Sequence, residues 1–158
     1  MPEAVVAVRP VDFGDEAELA QFVGLLDAYA RDPMGAGTAL APEVRERLMI
    51  DLPRRQGLHG LLAEAGDQAI GFATCLVGYS TFRARPLLNV HDIAVLPDWR
   101  GLGIGGRLLE AAAELGRRLD CCRLTLEVRP DNPSAQRLYA RAGFVQAACS
   151  VFMERPLD

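Results

Sequence analysis

Val95-Leu96-Pro97-Asp98-Trp99-Arg100-Gly101-Leu102-Gly103-Ile104-Gly105-Gly106 decides how this chain is read. An apolar, strand-like run ends at Leu96, and the most regular helical pattern in the sequence begins at Gly105. Four glycines fall within the six residues 101–106, which lets the backbone approach an anion closely. Several N–H groups then face inward, and the dipole of the following helix adds positive potential. The segment reads as a cradle for a pyrophosphate. A flexible strand–helix turn is the plainer alternative, but glycine is costly at a helix start unless something requires it.

Downstream, residues 105–119 form an amphipathic helix. Ile104, Leu108, Ala112, Leu115 and Leu119 line one face, and Arg107, Glu110, Glu114 and Arg118 the other. Residues 124–128 read as a buried strand. Asn132-Pro133 reads as an N-cap with proline at the first helical position, and Gly143 as the residue just past the end of that short helix. Residues 145–155 are expected to supply one or two last strands.

Upstream, residues 5–9 are a short strand ended by Pro10. In residues 15–30, Leu19, Phe22, Val23 and Leu26 recur at helical spacing, with acids near the start. Pro33, Gly35 and Gly37 make residues 31–41 a loop, and residues 42–51 a second helix opened by Pro42. Residues 58–64, 69–78 and 87–96 are strand candidates, the first two joined by a hairpin turn at Gly66-Asp67. The order βααβββαβαβ describes one α/β domain over residues 1–158, with strand–loop–helix–strand at its centre.

Composition narrows the function classes. Of 158 residues, 50% are hydrophobic and 24% charged, ordinary for a globular chain, and a net charge of −4 argues against a general nucleic-acid binder. No basic segment followed by a long apolar one opens the chain, and no stretch is long enough to span a bilayer, so no signal peptide and no membrane partner are expected. Cys75, Cys121, Cys122 and Cys149 form no Cys-x-x-Cys pair, and only His59 and His91 could join them, so no metal site is expected. Adjacent Cys121 and Cys122 are expected on opposite faces of a strand, unbridged, in a reducing, cytoplasmic setting.

Gly101, Gly103 and Gly106 also satisfy the dinucleotide fingerprint Gly-x-Gly-x-x-Gly, with Glu127 about 20 residues beyond. Two features oppose it. Pro97-Asp98-Trp99-Arg100 separates strand from glycines, and the 52 residues after Gly106 are too few for a second nucleotide-binding half. A P-loop is excluded because no Gly-Lys-Ser/Thr follows.

Residues 95–106 resemble the acetyl-CoA signature of the GNAT-superfamily N-acetyltransferases, Arg/Gln-x-x-Gly-x-Gly/Ala. Asn132-Pro133-Ser134-Ala135-Gln136-Arg137-Leu138-Tyr139, followed by Gly143-Phe144, is similar to that superfamily's second signature. The two appear in the right order and separation. The resemblance implies a mixed, splayed β-sheet flanked by helices, with a pantetheine arm received between its fourth and fifth strands. It implies acetyl-CoA as co-substrate and a small-molecule primary amine as acceptor. A protein or peptide acceptor, or a non-catalytic CoA-binding sensor of the same fold, stays open, as does a homodimer.

The resemblance also implies site roles. Backbone N–H groups near Ile93, Ala94 and Val95 would hold the thioester oxygen. Arg100, Gly101, Leu102, Gly103, Ile104, Gly105 and Gly106 would carry the pyrophosphate, and Asn132 and Ser134 would contact the rest of the cofactor. Tyr139 stands where the family has its general acid; a core tyrosine is the other reading. His91 and Asp92 enter the site on one strand and are expected on opposite faces. His91 is a candidate base or a satisfied buried histidine, and Asp92 an anchor for a cationic amine or the partner of a structural arginine. Trp99 is expected to pack over the loop. Residues 29–40 and 79–83 are candidate acceptor walls. Residues 88–92 also resemble diamine acetyltransferases, but those tend to carry glutamate where His91 stands.

Overall fold

The computed structural model describes residues 5–147 and 151–158. Among these residues five strands form one sheet in the order β1-β2-β3-β4-β5: Val6–Pro10, Leu58–Ala65, Gln68–Ser80, Arg85–Val95 and Leu124–Leu126. The first four pair antiparallel and β5 joins β4 in parallel, so the sheet is mixed. A parallel pair needs a crossover, and the helix α3 (Ile104–Arg118) supplies it. The remaining helices are α1 (Glu16–Arg31), α2 (Pro42–Asp51) and α4 (Pro133–Arg141).

The helix ends follow from local chemistry. Asp15 caps α1, its side chain accepting from the N–H groups of Ala17 and Glu18. Asn132 caps α4 by accepting from the Ala135 N–H at 3.1 Å, and Gly143 ends it at φ +89°. Gly66 turns β2 into β3 at φ +60°, as a two-residue hairpin requires.

Each sheet face carries its own core. On one, α3 seats Ile104, Leu108, Ala112 and Leu115 against Leu61, Ala73, Cys75, Leu88 and Val90. On the other, α1 seats Leu19, Phe22 and Val23 against Leu62 and Phe72. There Phe22 meets Phe13 and Phe72 edge-on at centroid distances of 5.1 and 5.4 Å. Arg9 ties β1 to both neighbours, with Glu18 of α1 at 2.8 Å and Glu64 of β2 at 2.9 Å.

Two expectations are corrected. Residues 145–147 and 151–155 form no strand, residues 148–150 lying outside the described residues with Cys149 among them. Cys121 and Cys122 sit in the turn after α3 rather than on a strand, where their N–H groups donate to Gly116 and Pro86 carbonyls. Both are unbridged.

Between α1 and α2 the loop is tightly bound to the end of α1. Ala36 and Thr38 N–H groups both donate to the Ala30 carbonyl at 3.1 Å. Gly35 packs against the Tyr29 carbonyl so closely that a Cβ there would collide with it. Gly35→Ala should therefore cost about 1–3 kcal/mol, the usual range for forced overpacking. It is read as a lower Tm, with faster amide exchange across residues 34–40.

Candidate functional site

The sheet comes apart along β4. Strand β5 pairs only with Leu88, Asn89 and Val90, and β4 runs on alone on that side to Val95. On its other side β4 stays paired with β3 as far as Val95. The Leu96 N–H donates to the Ile70 carbonyl at 2.8 Å. Antiparallel alternation then turns the backbone groups of Asp92 and Ala94 toward β3 and those of Ile93 and Val95 toward the open side. Ile93 and Val95 thus present N–H groups at the splay. Ala94, grouped with them from sequence, spends its backbone in the ladder.

At the top of that edge the chain makes a short 3-10 turn, Pro97–Trp99, and enters the glycine loop. Gly101 and Gly103 both have φ +78°, left-handed values that glycine adopts without strain. Gly103 is the N-cap of α3, where no side chain accepts from the helix N–H groups and no acid occupies the first turn. The amides from Gly101 to Gly106 have no backbone partner among the described residues. A Cβ at Gly101, Gly103 or Gly106 would meet nothing within 4 Å, so the space above the loop is open. Open, convergent N–H groups at a helix N-terminus form an anion site. Gly105 has a second reason to be glycine, since a Cβ would stand 2.8 Å from Leu138 of α4.

Arg100 is placed differently from the expectation. Its Nε donates to the Val95 carbonyl at 2.9 Å and its Nη2 to Asp32 at 2.7 Å. Its own N–H closes the 3-10 turn on the Pro97 carbonyl. The free amides of the loop are those of Gly101 to Gly106, and Arg100 stands behind them, its guanidinium engaged by strand and loop. Trp99, expected over the loop, packs against the α3-side core.

His91 and Asp92 do not point to opposite faces. Strand β3 pairs Thr74 with Asp92 and Cys75 with Val90, leaving His91 as an extra residue, a β-bulge. The core-facing parity changes across it: Leu88 and Val90 face α3 before the bulge, Ile93 and Val95 after it. Both His91 and Asp92 are thereby turned to the α1 side, His91 exposed and Asp92 half-buried. No ion pair among the described residues involves Asp92, so it is not the partner of a structural arginine. Beside it the Thr74 hydroxyl is buried without a hydrogen-bond partner.

Tyr139 projects from α4 into the α3-side core, edge-on to Phe144 at 6.1 Å. Burial pushes its phenol up to about 12, with the nearby Tyr29 adding to the rise. Tyr29, in the last turn of α1, is raised by burial first and then by the charges of Asp92 and Asp32. Tyr29 thus lies within electrostatic range of both Asp92 and Tyr139, although it packs on the α1 side of the sheet and Tyr139 on the α3 side. From the sequence Tyr29 is only the start of a loop wall. Asn132 spends its Oδ1 on the α4 cap, and Ser134 is exposed in the first turn of that helix.

A cavity of about 330 Å³ opens beside the glycine loop, between α3 and α4, lined by Gly103, Gly106, Leu138, Arg141 and Phe144 among others. A shallower hollow of about 700 Å³ between α1 and the β2–β3 turn holds none of the candidate residues. The 79–83 segment is also remote. It ends β3 and enters the β3–β4 turn, and β4 begins only at Arg85, seven residues and roughly 23 Å of strand before Asp92.

The structure thus joins a splayed mixed sheet to an uncapped helix N-terminus at the splay. The chain belongs to the acetyltransferase (GNAT) family, whose model matches residues 22–144. An uncharacterized N-acetyltransferase of Archaeoglobus fulgidus is 35% identical over 81 residues, 51% of this chain and 55% of that protein. Streptothricin acetyltransferase of Streptomyces lavendulae is 43% identical over 79 residues, 50% of this chain and 39% of that one. The chain thus spans about half the length of the curated relatives it matches. An aminoglycoside acetyltransferase from a soil metagenome, solved with trehalose, superposes over 100% of both chains with a TM-score of 0.82 at 16% identity, which establishes the fold. Among the described residues no helix is long and apolar enough to cross a membrane.

Proposed function

We propose that the chain transfers the acetyl group of acetyl-CoA to the primary amine of a small molecule, as one N-acetyltransferase domain over residues 1–158 in the cytoplasm. The observation that carries this reading is the open row of amides from Gly101 to Gly106, which follows the free edge of β4 and lies beside α4, the helix that bears Tyr139. The match to the family model supports the cofactor. The likeness to a streptothricin and an aminoglycoside acetyltransferase supports a small amine as acceptor.

Acetyl-CoA supplies an activated acyl thioester. The glycine-loop amides would hold its pyrophosphate, and the Ile93 and Val95 N–H groups would stand as donors for the thioester oxygen. Asp92 holds the acceptor ammonium on the α1 side, and His91 takes its proton, directly or through a water. Tyr139 donates toward the departing sulfur. With its phenol near 12, complete transfer to a thiolate whose acid lies near 8.5 is uphill by about 3.5 units, or ~5 kcal/mol. Tyr139 thus acts first as a hydrogen-bond donor to the sulfur, and the proton follows as charge accumulates there.

The two β4 side chains are separable by mutation. His91→Ala should lower kcat by about 10²–10⁴, the range for loss of a positioned base, without weakening acetyl-CoA binding. Asp92→Asn should leave acetyl-CoA binding intact and raise the acceptor KM about 10–100-fold, the worth of one charge-assisted hydrogen bond. A His91→Ala variant with the wild-type kcat takes His91 out of the mechanism. The acceptor class is tested by an acetyl-CoA consumption screen against amines, amino acids, aminoglycosides and peptides. Turnover confined to peptides would overturn the small-molecule assignment.

A further inference from the structure

Arg100 and Asp32 are 68 residues apart in sequence and meet at 2.7 Å. Arg100 immediately precedes the glycine loop, and its guanidinium also holds the Val95 carbonyl at 2.9 Å, on the open edge of β4. Asp32 caps the C-terminus of α1 and organises the loop that follows. Its Oδ1 accepts from the Met34 N–H at 2.9 Å, and its carbonyl accepts from the Gly35 and Gly37 N–H groups at 2.9 and 3.2 Å. The far end of the same loop is fastened by Asp27, a buried carboxylate that accepts from the Leu40 N–H at 2.8 Å and pairs with Arg31 at 3.0 Å. The loop is thus a strap anchored at both ends, and its first anchor is shared with the phosphate-side loop.

Resting on the acetyl-CoA reading above, we propose that Asp32 and Arg100 are a positioning pair that transmits occupancy of the glycine loop to the acceptor-side strap. The pair is a poor stabiliser of the fold, since the Arg100 side chain is 50% exposed and exposed ion pairs contribute little. Its geometry has another use. The guanidinium is a rigid fork that fixes two acceptors at once, the strand carbonyl and the strap carboxylate. A diphosphate seated on the Gly101–Gly106 amides immobilises the backbone next to Arg100, and the fork carries that order to Asp32 and the residues bonded to it. Tyr29 lies one turn earlier on the same helix, so the wall facing Asp92 is ordered with the strap. The coupling is reciprocal: whatever orders the strap also favours the occupied glycine loop.

The probe is free coenzyme A, with its affinity measured by calorimetry and strap order by amide hydrogen exchange across residues 34–40. In the wild type, coenzyme A should slow exchange in the strap at least about fivefold, the lower end of ordinary site–site coupling. Asp32→Asn should still bind coenzyme A and lose the slowing, because the loop amides are untouched. Arg100→Lys keeps the charge but cannot hold both acceptors, and should lose most of the slowing while folding normally. Full slowing retained in both variants, or none in a wild type that binds coenzyme A, would overturn the proposal. A folded wild type that does not bind coenzyme A at all overturns the cofactor reading itself, and this inference with it.

Discussion

Gly103→Glu should abolish acetyl-CoA binding and leave the protein folded. Gly103 has φ +78° and caps α3 with no neighbour within 4 Å of a built Cβ. A Cβ there meets no protein atom, and the left-handed backbone costs only about 1–2 kcal/mol. What it meets is the ligand. The new carboxylate would sit over the open N–H groups of the helix and compete with the pyrophosphate for them. Wild-type protein at a ligand concentration a hundredfold above Kd should gain about 2.7 kcal/mol, seen as a higher Tm. Folded Gly103→Glu should gain nothing at the same concentration. Binding within threefold of the wild type would show that the phosphates lie elsewhere.

Tyr139→Phe should lower kcat by about 10²–10⁴, the range for loss of a positioned acid, with acetyl-CoA affinity unchanged. The ring stays, so the edge contact with Phe144 and the packing on α3 remain. Burial holds the phenol near 12, so the hydroxyl keeps its proton throughout the working range. The rate should therefore show no alkaline fall from Tyr139 until well above pH 10. A variant with full kcat, where the chemical step is shown to limit turnover, would make Tyr139 a packing residue.

The sequence carries the local half of this architecture well. Helix α3 is legible because Ile104, Leu108, Ala112 and Leu115 repeat at helical spacing and all are buried. The ends of α4 are legible because Asn132, Pro133 and Gly143 each suit one backbone position. The left-handed turn into α3 is legible because Gly101 and Gly103, just before the helix, suit positive φ. What is not legible depends on partners far along the chain. The bulge at His91 is a mismatch between β4 and β3, and neither strand announces it alone. Alternation therefore misplaces His91 relative to Asp92. The arginine of the motif looks like an anion ligand until Asp32, 68 residues earlier, takes its guanidinium. Asp27 and Tyr29 sit on an ordinary amphipathic helix, and no pattern in α1 marks a buried carboxylate that fastens a loop or a tyrosine that faces the splay.

The most direct test of the central claim is a mass balance. Folded protein is incubated with acetyl-CoA and a panel of small primary amines, and both free thiol and amine products are measured. The account predicts that thiol release is matched one for one by N-acetylated amine, and that both fall together in Tyr139→Phe. Thiol released without acetylated amine, or acetyl-CoA bound and never consumed with any amine or peptide, would contradict it.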